Sequence, residues 1–228
     1  VNHNYFFMGD INQLHFMERH RGLITGPIIE IGSKDYGNTQ DLRSLFPGSD
    51  YVGIDMEAGK GVDYVLDLTR SFDEISATLG GKRFQAAICL SVLEHCQDPF
   101  AMAKNISRLL LPGGLVFVSV PFAWRIHGYP SDYWRFTPAG LKVLFSECEF
   151  NTHPGEMCTS RENTDVPIED DMLRVELDIK KGLARKRYGY FTATAIATCK
   201  FFKIFPSVFS YPYVFPPVTV NLIGRKRD

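Results

Sequence analysis

Apolar residues recur in two rhythms along the first two thirds of the chain. Short, almost wholly apolar runs at Ile28–Ile31, Tyr51–Asp55, Val62–Leu66, Phe84–Leu90 and Leu115–Val120 read as strands. Between them, 39–45, 72–79 and 99–111 read as helices, and residues 10–22 form a helix before the first strand. In 99–111 the apolar positions Phe100, Ala103, Ile106, Leu109 and Leu110 follow helical spacing. That helix is expected to stop at Pro112-Gly113-Gly114. Strands that are apolar on both faces and alternate with helices predict a parallel sheet covered on each side.

Beyond residue 120 the rhythm changes. A helix is predicted over 137–147, with Thr137 as N-cap and Pro138 in the first turn. A strand is predicted over 149–158, an acidic loop with a short helix over 161–178, a basic aromatic stretch over 179–216 and a last strand over 219–224. The expected organisation is a core at 1–158, an insertion or lid at 159–216 and a closing strand at 217–228. No internal repeat or low-complexity tract is visible.

Composition narrows the class. With 228 residues, 45% hydrophobic and 22% charged, the chain is of ordinary globular type, not fibrous or disordered. Five cysteines without a CxxC pair suggest reduced thiols in a cytoplasmic protein and no zinc knuckle. The first ten residues lack the basic-then-apolar pattern of a signal peptide, and Val1 suggests a trimmed start. The uncharged run 204–224 is long enough to span a bilayer, but four prolines within it argue against a spanning helix. The formal net charge of −1 is a cancellation: residues 1–178 carry 15 bases and 25 acids, residues 179–228 ten bases and one acid. The total excludes a uniformly basic, nucleic-acid-coating protein.

Candidate chemistry sits where strands end. Glu30-Ile31-Gly32-Ser33 closes the first strand, and glycine there lets the backbone approach a ligand or simply makes a tight turn. Asp55 follows Gly32 by 23 residues and ends the second strand, where an acid can accept both ribose hydroxyls. Asp67 ends the third strand, placed for an exocyclic adenine amine. Ser91-Val92-Leu93-Glu94-His95 follows the fourth, and Leu111-Pro112-Gly113-Gly114 precedes the fifth. A dinucleotide loop would place a second glycine where Lys34 stands, which counts against NAD.

Taken in order, Glu-Ile-Gly-Ser, Gly-Ile-Asp-Met, Leu-Asp-Leu, Ser-Val-Leu-Glu-His and Leu-Pro-Gly-Gly resemble class I S-adenosylmethionine-dependent methyltransferases, most closely the broad type 11 family, over about residues 20–158. The resemblance implies a Rossmann-like α/β fold: seven strands, mostly parallel, the last antiparallel, with helices on both faces. It implies S-adenosyl-L-methionine as cofactor and S-adenosyl-L-homocysteine as product. Glu30, Gly32 and Ser33 would line the methionine end, and Asp55 would hold the ribose. Met56 would pack on adenine, Asp67 and Leu68 would flank its amine, and Ser91 and His95 would sit near the sulfonium. The glycines the family carries at the positions of Lys34 and often Tyr36 are absent here.

Methyl transfer needs alignment, exclusion of water and, for an oxygen nucleophile, a base. Residues 120–138 offer both a base and an aromatic wall, and contain both tryptophans of the chain. Its His-Gly-x-Pro-x-Asp-Tyr-Trp-Arg-Phe-Thr-Pro pattern also resembles type 11 members associated with polysaccharide and sugar gene clusters. His127 is the candidate general base, with Asp132 or Glu94 orienting it. Trp124, Tyr133 and Trp134 are candidates for the acceptor pocket, and Arg125 or Arg135 for an anionic group. A packed turn with Arg135 against a carboxylate is the competing reading. Some quinone O-methyltransferases that resemble the Glu94-His95 stretch hold a divalent ion with two acids and a His; Ser91 replaces the first acid, so no metal is expected.

The expected activity is methylation of a small molecule, at a hydroxyl of a sugar or related natural product. The alternatives are a lipid or quinone acceptor at a membrane surface, or a non-catalytic protein that binds the cofactor. The basic aromatic insertion suggests a lid, a homodimer surface or a peripheral membrane contact, and nucleic acid is disfavoured.

Overall fold

The computed structural model describes residues 8–37, 41–128, 131–150, 157–161, 164–168, 175–184, 186, 188–209, 211–214 and 218–228. They divide into two compact units, residues 1–167 with 218–228, and residues 168–217.

The first unit is built on five parallel strands whose side chains are nearly all apolar. Helix α1 (Met8–His20) precedes β1 (Ile28–Ile31), β2 (Tyr51–Asp55) and the short β3 (Tyr64–Val65). Helix α2 (Phe72–Thr78), β4 (Phe84–Leu90), α3 (Pro99–Leu109) and β5 (Leu110–Ala123) follow. Then come α4 (Pro138–Leu144), β6 (Cys148–Phe150), β7 (Met157–Arg161) and β8 (Thr164–Pro167). Strand order is β3-β2-β1-β4-β5, continuing through the closing strand Val218–Lys226 to β7 and β8, with β6 also on the closing strand. The closing strand runs antiparallel to β5 from Val218↔Ala123 to Arg225↔Leu115. The Rossmann-like order and antiparallel last strand are as expected. The sheet has nine strands rather than seven, because the polar stretch after α4 supplies three short antiparallel pieces.

The central strands bury their side chains completely, Ile28, Ile29, Ala86, Ala87, Ile88, Val116, Phe117 and Val118 among them. Phe16 and Met17 of α1 close one face, with Phe16 edge-on to Phe117 at 6.4 Å between ring centroids. Helix starts are capped by short polar side chains: Ser71 accepts from Glu74 N, Asp98 from Ala101 N, and Thr137 from Gly140 N. Pro99 and Pro138 occupy the first turns, where a missing N–H costs nothing. Chain order changes direction between β1 and β4, so the crevice beyond their carboxyl ends is where an open α/β sheet binds its ligand.

Several boundaries differ from the sequence expectation. The helix expected over 39–45 is only a 3-10 turn at Arg43–Leu45, with 38–40 outside the described residues. Helix α3 ends at Leu109 rather than 111, because β5 starts at Leu110 and pairs with Phe84. Gly113 at φ 69° allows the strand to kink there, and its carbonyl accepts from Arg225 Nη1 at 2.8 Å. Helix α4 stops at Leu144, since Cys148 already pairs with the closing strand. The strand expected over 149–158 is divided between β6 and β7, and β8 lies in the stretch expected as loop. The second unit accordingly begins at Ile168, whereas the sequence reading began the insertion at 159.

In the second unit, β9 (Val175–Glu176) pairs antiparallel with β10 (Tyr213–Val214). Between them lie α5 (Ile179–Ala184), α6 (Tyr190–Phe201) and α7 (Pro206–Phe209); the closing strand is β11. All five cysteines of the chain are free thiols. Among the described residues no helix is long and apolar enough to cross a membrane.

Candidate active site

At the carboxyl end of β1 the backbone turns through Gly32, whose φ of 76° suits glycine. A Cβ there would lie 2.4 Å from Val92 Cγ2, so the loop can pass close to the β4 end only without a side chain. Glu30 accepts a hydrogen bond from Tyr51 Oη at 2.8 Å, and burial pushes its carboxyl up to about 7. Ser33 Oγ is buried without a hydrogen-bond partner among the described residues. The strand-two acid Asp55 accepts Lys34 N at 3.3 Å and Glu57 N at 3.1 Å through its two oxygens. Lys34 Nζ pairs with Glu57 at 2.5 Å. Met56 beside Asp55 is 65% exposed. Asp67 Oδ1 accepts from the amide and hydroxyl of Thr69, and Leu68 is buried with its carbonyl held by Asn105 Nδ2.

The Ser33 hydroxyl is buried against Gly53 of β2, Asp55 stands at the end of β2, and Met56 leaves its apolar side chain exposed. The Lys34 ammonium is already paired with Glu57, so it is not free to clamp a pyrophosphate.

Ser91, just past β4, takes the left-handed backbone at φ 53°. Its Oγ accepts from Gln13 Nε2 of α1 at 2.7 Å, and the same amide donates to Ser119 Oγ at 3.0 Å. Ser119 Oγ in turn donates to Asn221 Oδ1 on β11. Gln13, Ser119 and Asn221 lie in no motif and escape a reading of the sequence. The one available signal is an amide beside the apolar Leu14, Phe16 and Met17 on a helix that faces the sheet.

The 3-10 turn Leu93–His95 then carries the loop before α4. Glu94 O accepts from Tyr133 N at 2.7 Å and Trp134 N at 3.3 Å, and Cys96 O accepts from Trp134 Nε1 at 2.7 Å. The Glu94 side chain is 1% exposed, its Oε2 has no partner among the described residues, and burial pushes the carboxyl up to about 8. His95 donates through Nδ1 to Ser131 O at 2.7 Å, and burial holds its pKa down. A neutral ring with its proton on Nδ1 leaves the Nε2 lone pair free.

His127 sits edge-on to His95, with centroids 4.8 Å apart. Its Nδ1 lies 2.9 Å from Asp132 Oδ2, and its backbone N donates to the same oxygen at 3.0 Å. Of the two acids expected to orient His127, Asp132 makes the contact; Glu94 lies nearer His95, at 3.9 Å from Nε2. Asp132 is also gripped by both Arg135 amino groups, at 2.5 and 2.7 Å, which holds its carboxyl well below the usual carboxylate range. Arg135 Nη2 additionally reaches the carbonyls of Trp124 and Arg125. Its guanidinium is thus committed to its own loop, and the expected role as an anion binder for substrate does not fit that geometry. Arg125 is exposed. Tyr133 and Trp134 are partly exposed, with Gln97 Nε2 donating to Tyr133 Oη at 3.0 Å. Glu94, His95 and His127 bring one donor atom each within 4.8 Å of one another.

A profile of the methyltransferase domain matches residues 22–153. A ubiquinone biosynthesis O-methyltransferase of Pseudomonas aeruginosa is 30% identical over 159 residues, 63% of either chain. That of Xanthomonas axonopodis pv. citri is 38% identical over 120 residues, 50% of this chain and 47% of its own. The chain thus spans about half to two thirds of the length of the curated relatives it matches. Among solved structures, the Burkholderia thailandensis 1,6-didemethyltoxoflavin N1-methyltransferase, bound to 1,6-didemethyltoxoflavin and S-adenosylhomocysteine, superposes with TM-score 0.53 at 14% identity, covering 99% of this chain and 82% of its own. An Archaeoglobus fulgidus S-adenosylmethionine-dependent methyltransferase gives TM-score 0.51 at 14% identity, covering 98% and 100%. At that identity the likeness speaks for the fold. The profile spans more than half of the sequence: this chain belongs to the methyltransferase domain family, the S-adenosylmethionine-dependent class I methyltransferases.

Proposed function

We propose that the chain methylates a hydroxyl of a small-molecule acceptor, with His127 as the general base. The observation that carries this reading is the His127–Asp132 contact at 2.9 Å. With Nδ1–H donated to a carboxylate, His127 is fixed in the tautomer whose Nε2 accepts a proton, and Asp132 stabilises the imidazolium that results. S-adenosylmethionine, when bound, supplies a methyl group already activated on a sulfonium. Gly32 and Ser33 hold its amino-acid end, Asp55 the ribose, Met56 and Leu68 the base, and Asp67 the adenine amine. Ser91 and His95 border the reacting end. Trp124, Tyr133 and Trp134 shape the acceptor side, and Arg125 is the cation available to an anionic group.

The acceptor class we favour is a sugar or related natural product. A quinone or other lipid-like acceptor is the second reading, favoured by the O-methyltransferase relatives, whose names place them in ubiquinone biosynthesis.

Calorimetric titration with S-adenosylmethionine and S-adenosylhomocysteine tests the base of the reading. Both should bind, and Asp55→Ala should weaken them by about 10- to 100-fold, the worth of one or two hydrogen bonds to a charged group. Binding of neither would refute it. Labelled methyl incorporation, assayed with phenolic and glycosyl hydroxyl acceptors, should fall about 10²- to 10⁴-fold in His127→Ala while cofactor binding persists. Unchanged turnover in that variant would remove His127 as base, and binding without transfer to any acceptor would favour a non-catalytic protein.

A further inference from the structure

Helix α6 reads Tyr-Phe-Thr-Ala-Thr-Ala-Ile-Ala-Thr-Cys-Lys-Phe, and its first charged residue is Lys200. Only Ala193 and Ile196 are buried, while Phe191 is 90% and Phe201 80% exposed. A helix resting on a core in water shows an apolar stripe and a charged opposite face. This one is apolar or weakly polar all round and leaves most of that surface uncovered. At about 1.5 Å per residue it is roughly 18 Å long, too short for a hydrocarbon core of about 30 Å.

The turn after α6 extends the same surface. Phe202, Ile204 and Phe205 are exposed, and Phe201 and Phe202 meet edge-on at 5.1 Å. Lys203 and Phe205 take left-handed backbone, φ 52° and 50°. That conformation is uncommon for Lys and an outlier for Phe, and outliers of this kind cluster where a segment serves a function. Within the unit, from residue 179 onwards the charge has one sign; the acids of the unit lie before it, Asp178 among them, which accepts from Lys181 N at 3.1 Å. From 179 to 217 there are seven Lys or Arg and no acid, and Lys180, Lys181, Lys186 and Lys203 are exposed.

We propose that the 168–217 unit docks on an anionic lipid bilayer, with α6 and the turn after it lying in the membrane interface. The aromatic and aliphatic side chains enter the boundary between head groups and acyl chains, and the lysines meet the lipid phosphates. A second copy of the chain would also cover apolar surface, but a two-fold contact through α6 and its turn would bring Lys200 and Lys203 against their own copies. An anionic bilayer is complementary to these lysines. Docking is read without turnover, so it stands or falls separately from methyl transfer.

Co-sedimentation of the full chain tests it, using vesicles of phosphatidylcholine alone and of equal parts phosphatidylcholine and phosphatidylglycerol. The chain should pellet with the anionic vesicles and remain in solution with the neutral ones. Phe205→Asn and Lys203→Asn are informative because Asn tolerates left-handed backbone better than the native residues, so neither adds strain. Each charge removed should lower partitioning about fivefold, and Lys180→Glu with Lys181→Glu should lower it further. Phe205→Asn should weaken binding at unchanged net charge. A native chain that stays in solution with anionic vesicles overturns the proposal. So does equal binding to neutral vesicles, or a dimer in size-exclusion chromatography that Phe205→Asn converts to monomer.

Discussion

Asp132→Asn isolates the contact on which the catalytic reading depends. The Asp132 side chain is 1% exposed and holds three groups: His127 through Nδ1 and backbone N, and Arg135 through both amino groups. Asparagine keeps one acceptor and turns an NH2 towards donors, leaving a mostly covered guanidinium without its counter-charge. Removing one partner of a buried pair costs about 3–5 kcal/mol. Arg135 retains its carbonyl acceptors and is 27% exposed, so we expect the low end, about 3 kcal/mol at pH 7. Acid changes that number with a definite sign. Arg135 first, and then His127, hold the folded-state pKa below the unfolded value of about 3.9. The stabilisation is therefore complete above the unfolded pKa and lost as pH falls towards the folded one. Urea unfolding followed by the fluorescence of Trp124 and Trp134 reads both effects. The gap between native and variant protein should be full at pH 6–7 and narrow below about pH 4. A loss under about 1 kcal/mol at pH 7, or a gap indifferent to acid, would refute the account of Asp132 as the anchor of this loop.

Three further outcomes follow. Gly32→Ala should abolish measurable S-adenosylhomocysteine binding by calorimetry and cost about 1–3 kcal/mol, because the backbone is left-handed and Val92 occupies the Cβ position; adding Val92→Ala should relieve the clash but not the backbone strain. Gln13→Leu should lower the melting temperature by about 4–8 °C, the equivalent of roughly 2 kcal/mol, by taking the donor from Ser91 and Ser119; an unchanged melting temperature would mean the network contributes nothing. Glu30→Gln should flatten a pH dependence. The Glu30 carboxyl is raised to about 7 by burial, so its share of stability is complete below the unfolded value of about 4.3 and lost as pH rises towards 7. The variant should gain on the native protein by about 1–3 kcal/mol between pH 4 and pH 8 in urea unfolding, and parallel curves would contradict the raised pKa.

The strands legible in the sequence are those with both faces buried. Phe84–Leu90 coincides with β4 because five of its seven residues, Phe84, Ala86, Ala87, Ile88 and Cys89, are apolar and buried. The strands over 148–167 were harder to read because they are short and polar, and their places come from pairing with β11 or with each other. The residues expected for the cofactor lie at or within a few residues of the ends of β1 to β4, because strand ends can be read from the apolar runs. Arg135 shows the opposite case. Its sequence neighbours Tyr133 and Trp134 suggest a substrate wall, yet its charge closes on Asp132 three residues away. Composition alone does not distinguish a cation facing a ligand from one facing its own turn.

The crowded chemistry of residues 120–138 therefore separates into two sets. Asp132, Arg135, the backbone of Tyr133 and the indole N–H of Trp134 fasten the loop, and the last two are tied to Glu94 and Cys96. His127 Nε2, the Tyr133 ring and the Arg125 side chain take no part in that fastening. The Glu94–Cys96 turn follows Ser91 directly, and Ser91 is fixed through Gln13 and Ser119 to β5. Ser91 and His95, proposed for the cofactor, thus sit on the same short turn, Ser91–Cys96, that holds Ser131, Tyr133 and Trp134 of the loop carrying Asp132. A change in this turn should then disturb cofactor affinity and acceptor chemistry together, whereas a change at His127 should disturb the second alone. Comparing Glu94→Ala with His127→Ala, in calorimetry and in methyl incorporation, separates that coupling from two independent subsites.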